Sequence, residues 1–167
     1  MIRQLALVAA LVGALSSAIP GTAAPPADPY PPIAVSGEVQ HALLLHFEDL
    51  QKLPQTTVLD SFMTERGAQT GTFSGPLLVA VVGAAGLAIA PGKNTKLRHT
   101  ILVSGSDGYS VALSMGEIDL DYEGKAVILA TSENGASIDP SAGVRLIVPN
   151  DKYGGRSVKQ VTGIEVR

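Results

Sequence analysis

Gly143-Val-Arg-Leu-Ile-Val-Pro149, followed by Gly154-Gly-Arg-Ser-Val-Lys159, decides how this chain folds. The first segment is an apolar run carrying one cation, Arg145, and bounded by glycine and proline, the pattern of a buried strand. The second opens on two glycines, whose backbone freedom lets N–H groups face a ligand, and ends on Lys159. Residues 149–155 must turn the chain between them, so Arg145 and Lys159 can meet although they lie far apart in sequence. A guanidinium fork, an ammonium and free N–H groups on a turn are what a phosphate-like anion requires. The competing reading spends Arg145 on an internal salt bridge, to Asp60 or Asp139, and leaves Lys159 in solvent.

Working outward, residues 33–45 read as strand material, with Gly37 and Glu38 marking a turn and 42–45 a short apolar run. Residues 46–53 switch to helical spacing through Phe47, Leu50 and Leu53. His46 stands at the N-cap, Glu48 and Asp49 lie in the first turn and Lys52 in the last, which complements the helix dipole. Pro54 stops that helix. Strands at 57–64 and 67–73 form a hairpin through 65–67. Ser74-Gly75-Pro76 is expected to open a second helix with proline in its first turn, continuing through 77–87, which is apolar on every side and therefore buried. Strands follow at 100–104 and 109–113 around a Ser106-Asp107-Gly108 turn, then at 126–131, at 144–148 and at 158–166, with Asn134-Gly135 as a further turn. Strands outnumber helices, so the expected fold is α+β, with mixed β-sheets and a few short helices in one domain, 33–167. Phe47, Leu50, Leu53, Leu77, Leu78, Val81, Val82, Ile101, Val103, Val127, Leu129, Leu146 and Val148 are the expected core.

Several segments, in this order, carry a resemblance. They are Val35-Ser-Gly-Glu-Val39, the helix ending at Pro54, Phe73-Ser-Gly-Pro-Leu-Leu78, Ala84-Ala-Gly-Leu87, Ser106-Asp-Gly-Tyr109, Asn134-Gly135 and the two C-terminal motifs. Together they resemble the sulfite-oxidase-type molybdopterin-binding domain family over about 33–166. The resemblance implies that fold, and molybdopterin as cofactor. It matches Arg145 to an arginine that contacts the pterin, and Ser157, Val158 and Lys159 to the segment that contacts the pterin phosphate through backbone and ammonium groups. The chain also departs from the family. It contains no cysteine, whereas the family holds molybdenum through a cysteine thiolate. The window where that cysteine falls, 61–64, reads Ser-Phe-Met-Thr, and none of these supplies an anionic sulfur. The family's histidine-rich stretch is replaced by Thr-Thr-Val-Leu-Asp at 56–60. Its histidine ahead of the arginine is missing from 139–143. One extra residue lies between Arg145 and Lys159.

Other chemistry is poorly supported. The formal charge of −3 argues against nucleic acid, which needs a concentrated basic face. Asp119-Leu-Asp121-Tyr-Glu123-Gly124 begins like a calcium loop, but the twelfth position, which needs an acid, is Ala130. It reads as a turn. His41, His46 and His99 lack metal-ligand spacing. Ser104, Ser106 and Ser110 cluster around Asp107 without a nucleophile elbow, and Ser-Asp-Gly is a hairpin signal.

The N-terminus reads as a signal peptide, 1–23: Arg3, a short apolar segment at 5–18, and small residues at 21–23 suited to cleavage after Ala23. At ~14 residues the apolar segment is shorter than the ~20 a spanning helix needs. A lone arginine marks a general secretory signal, not a twin-arginine one. Family enzymes that are exported cross the membrane folded with their cofactor, whereas a general secretory substrate crosses unfolded. Residues 24–32, with five prolines, are expected as a mobile tether. The expectation is a periplasmic or secreted, non-catalytic module with no cofactor, binding a small anion, another ligand or an exported partner protein, with no membrane span in the mature chain. The alternative is a molybdopterin-dependent oxidoreductase with a non-cysteine ligand set.

Overall fold

Period-two alternation lays out most of this chain. The computed structural model describes residues 29–167 apart from Arg66. The expected signal peptide and residues 24–28 therefore lie outside the described residues. Ile33 and Val35 are buried while Ala34 and Ser36 are exposed, which makes β1 (Ile33–Gly37) a half-buried strand. It pairs antiparallel with β2 (Leu43–Leu45) and parallel with β11 (Val161–Val166). Antiparallel β5 (Thr100–Gly105) and β6 (Ser110–Ser114) complete a five-stranded mixed sheet in the order β2-β1-β11-β5-β6. The hairpin of β3 (Gln55–Thr64) and β4 (Gly67–Pro76) forms a second sheet with β8 (Ser132–Glu133) and β9 (Ala136–Ser137). Asn134 and Gly135 both have positive φ, as a tight two-residue hairpin turn requires.

A short ladder joins these sheets. Strand β7 (Ile128–Ala130) pairs with β10 (Arg145–Ile147), in register Arg145–Ala130, Leu146–Leu129 and Ile147–Ile128. Alternate residues face two cores. Leu129 and Leu146 enter the main one with Leu78, Val81, Ile101, Val103 and Ile164. Ile128 and Ile147 enter a smaller one with Phe73, Ala130 and Ile138. A strand buried on both faces reads as a continuous apolar run, which is why 143–149 looked as it did.

Among the described residues the three α-helices are short: α1 (Phe47–Lys52), α2 (Leu78–Ala85) and α3 (Met115–Ile118). In α1 the His46 N–H donates to Asp49 Oδ2 at 3.0 Å, and Lys52 pairs with Asp49 at 3.0 Å. The α+β architecture with mixed sheets is as the sequence implied.

Several boundaries differ, each for a physical reason. Pro76 does not open a helix. It ends β4 opposite Gln55, at a ladder end where its missing N–H is tolerated. Helix α2 starts two residues later, its Leu78 N–H held by the Val127 carbonyl at 2.8 Å. Gly75 belongs to β4 because β4 and β7 approach closely there: a Cβ would overlap the Leu129 carbonyl. Strand β11 begins at Val161, not 158, because 157–160 follows β10 before crossing to the large sheet. Leu53 and Leu77 are half-buried, and the other expected core residues are buried. In the proline-rich stretch Tyr30 stacks on Phe47, ring centroids 3.7 Å apart, and donates from its hydroxyl to the Ile138 carbonyl at 2.5 Å. Packing thus reaches upstream of Ile33.

Leu129 and Leu146 are fully buried on the ladder that joins both cores. Leu129→Ala or Leu146→Ala is expected to cost about 2–5 kcal/mol of unfolding free energy, from lost transfer energy plus the cavity left behind. Denaturant unfolding measures it; a loss under about 1 kcal/mol at both positions contradicts this packing.

Candidate functional site

The 157–160 loop is fixed to β10 through the backbone. The Leu146 N–H donates to the Val158 carbonyl and the Val161 N–H to the Val144 carbonyl, both at 2.8 Å. Val158 is fully buried and acts as a plug, while Gln160 takes a left-handed turn, φ 46. Ser157 and Lys159 emerge on either side of that plug, beside Arg145. Of the four residues matched to cofactor contacts, the structure therefore gathers Arg145, Ser157 and Lys159. Val158 gives its side chain to the core and has only backbone to offer.

Arg145 sits in an unusual setting for a cation. Its Nε donates to Ser157 Oγ at 2.8 Å. Its guanidinium carbon lies 5.4 Å from the Phe62 ring centroid and 5.6 Å from that of Phe73, so two aromatic faces hold the charge. Burial lowers its pKa from the ordinary arginine value, while the Glu133 and Asp60 carboxylates pull the other way. An arginine stays protonated regardless. The salt bridge of the competing reading, to Asp60 or Asp139, is not formed among the described residues. Asp60 accepts from the Asn150 N–H at 3.3 Å, and Asp139 accepts from the Ser141 hydroxyl and N–H. Among the described residues Arg145 makes no ion pair, and its terminal nitrogens make no hydrogen bond.

Phe62 is supplied by the hairpin. Where β3 passes the 150–154 segment, the Met63 N–H donates to the Lys152 carbonyl at 3.0 Å. Gly154 lies directly on the Phe62 ring, and a Cβ there would come within 2.7 Å of it. Within the 61–64 window, Phe62 is the buried member. Ser61 hydrogen bonds Thr70 on the other face, Met63 is exposed, and the Thr64 hydroxyl donates to the Gly67 carbonyl.

Two clefts flank this centre. The larger, about 710 Å³, is bordered by Phe62, Met63, Tyr153, Arg145, Ser157 and Lys159. The smaller, about 410 Å³, shares Arg145 and Lys159 and adds Asp107, Glu133 and Gln160. Both volumes suit small molecules. Residues 62–65 of the hairpin thus meet the 145–159 loop across the larger cleft.

Arg156 lies inside the same motif but is not available to a ligand. It donates to Asp151 at 2.7 and 2.6 Å and to Glu117 at 2.8 Å, while Lys125 reaches both carboxylates at 3.5 Å. This network pins the 3-10 turn Gly154–Arg156 to α3. Opposite it, the Tyr109 hydroxyl donates to the Gly155 carbonyl at 2.5 Å. Sequence reasoning missed the network because its members come from three separate segments. It also missed Phe73 and Glu133 as neighbours of Arg145. For Phe73 the only available signal was its place on the buried face of the hairpin.

The remaining candidates resolve into structural roles. Asp119 is buried beside Lys96, and its Oδ1 accepts from the Asp121 N–H at 3.0 Å, closing the turn expected for 119–124. His99 contacts Glu38 at 3.3 Å. No group of three or more His, Cys, Asp or Glu side chains converges among the described residues. Ser104 and Ser110 hydroxyls pair across the β5–β6 hairpin, while Asp107 accepts from the Tyr109 N–H. No described helix is long and apolar enough to cross a membrane.

A family model described as "Oxidoreductase molybdopterin binding domain" matches residues 27–167. No curated protein matches the chain. Among solved structures the chain is similar to the sulfane dehydrogenase SoxCD from Paracoccus pantotrophus, with a TM-score of 0.66 and 20% identity. The match covers 81% of this chain but 38% of that one, and at this identity it speaks to the fold.

The network around Arg156 gives a pH dependence. The Arg156 hydrogen bonds, and then the Arg156 and Lys125 charges, hold Asp151 below its ordinary 3.8. A depressed carboxylate contributes stability above its unfolded pKa and loses it as pH falls through the folded value. Asp151→Asn is therefore expected to cost on the order of 1–3 kcal/mol at neutral pH, towards the lower end because Arg156 is partly exposed. The gap to wild type should shrink as pH drops below about 4. Urea unfolding at both pH values checks this, and a gap independent of pH contradicts it.

Proposed function

The chain belongs to the oxidoreductase molybdopterin-binding domain family, and we propose that it is an exported, non-catalytic member that binds a small anion between Arg145 and Lys159. The observation that carries this reading is the state of Arg145. A half-buried guanidinium with no carboxylate partner is costly unless something completes its hydrogen bonds. Ser157 takes one N–H, and the Phe62 and Phe73 faces orient the plane. Arg145 borders both clefts, where a carboxylate, sulfate or phosphate would accept two parallel bonds from its terminal nitrogens. Lys159 adds a second charge on the same rim.

The donor set does not fit a molybdenum centre. The chain has no thiolate, and the buried side chain in the window that should supply one is a phenyl ring. The hydroxyls of Ser61 and Thr64 are engaged in the hairpin, and Met63 offers only a neutral thioether. An anion site survives without the metal, because Arg145, Ser157 and Lys159 supply its donors and need no thiolate from that window. Export through the general secretory route, which delivers an unfolded and therefore empty chain, agrees with this reading.

Isothermal titration of the purified protein with phosphate, sulfate and a pterin analogue tests it. Wild type should bind at least one of them, and Arg145→Ala/Lys159→Ala should lose at least about tenfold in affinity. Equal heats from wild type and variant would exclude the site.

A further inference from the structure

Arg145 and Glu133 border the same smaller cleft without pairing. Arg145 is clamped between Phe62 and Phe73 and tied to Ser157. Glu133 is set on the β8–β9 hairpin, opposite Phe73 in the sheet and one residue before the Asn134-Gly135 turn. Asn134 Oδ1 accepts from the Thr72 N–H at 3.0 Å and so fastens that turn to β4. Among the described residues Glu133 makes no ion pair and no side-chain hydrogen bond. Asp107, on the same cleft, places a second carboxylate near Lys159.

The two clefts differ in character on either side of the shared cations. The smaller carries carboxylates. The larger is also bordered by one, Glu65, and presents the Phe62 ring, the Met63 thioether and the exposed Tyr153 ring beside Arg145. A ligand seated on Arg145 would therefore have anionic, cationic and apolar surroundings within reach of one small molecule.

We propose that the ligand is a zwitterion of the α-amino-acid class with an apolar side chain, its carboxylate on Arg145 and Lys159, its ammonium on Glu133 and its side chain against Phe62, Met63 and Tyr153. This rests on the anion-site reading above and narrows its ligand. A simple dianion satisfies Arg145 but is repelled by Glu133. A zwitterion completes both charges at once, and a charge-assisted hydrogen bond at each end fixes its orientation. The apolar wall adds affinity through buried area.

The test is calorimetric titration of the full chain with L-phenylalanine, L-leucine, 3-phenylpropionate (no ammonium), phenethylamine (no carboxylate) and inorganic phosphate, for wild type, Arg145→Ala and Glu133→Gln. Thermal unfolding confirms that each variant is folded. The expected result is that at least one amino acid binds about tenfold or more tightly than 3-phenylpropionate and phenethylamine. Glu133→Gln should bring that amino acid down to the level of 3-phenylpropionate, and Arg145→Ala should abolish both. If phosphate or 3-phenylpropionate binds as tightly as either amino acid and Glu133→Gln changes nothing, the zwitterion is wrong while the anion site stands. If no anion binds, both readings fall together.

Discussion

The backbone exchange between 144–146 and 158–161 is the constraint on which the site depends. Two hydrogen bonds and the buried Val158 side chain fix where the chain leaves β10 and joins β11. Because Leu146 and Ile147 face different cores, β10 can shift only if both rearrange, and close-packed interiors resist that. Arg145 at the start of β10 and Ser157 and Lys159 on the loop are thus held at a fixed separation without touching each other through charge. A site for an anion needs that separation, since two cations left to solvent would move apart.

Around this frame the cations take opposite roles. Arg156 is fully committed: Asp151 and Glu117 neutralise it, Lys125 closes the network, and the 3-10 turn stays against α3. Arg145 is oriented but not neutralised, held by rings and a hydroxyl. Aromatic faces fix a guanidinium plane without consuming its N–H donors. Arg156, next to Ser157, therefore builds the turn, while Arg145, eleven positions earlier, keeps its terminal nitrogens without a hydrogen bond among the described residues.

The sequence made much of this legible, and for identifiable reasons. Apolar runs and turn dipeptides report local geometry, so β5, β6, α1, the β3–β4 hairpin and the Asn134-Gly135 turn could be placed. Gly154, Arg145 and Lys159 stood out because glycine pairs and cations inside apolar strands are conspicuous. Pro76 misled because proline after Ser-Gly fits a helix start and a strand end equally well, and only the close crossing of β4 over β7 decides between them. Glu133 and Phe73 escaped because what stands opposite Arg145 is set by sheet pairing across long separations, which period-two patterning does not encode. In the folded hairpin alternate residues of 60–64 face inward, so that a ring occupies the centre of the window where the family's thiolate belongs.

The claim at the centre of this account is that a molybdopterin-binding-domain fold is used here without molybdenum. The most direct measurement is metal and pterin analysis, with intact mass, of the chain recovered from the exported fraction of its native host. The account predicts a chain beginning at Ala24 that carries neither stoichiometric molybdenum nor an extractable pterin. Stoichiometric molybdenum with pterin in that fraction would contradict it and would favour an oxidoreductase with a non-cysteine ligand set.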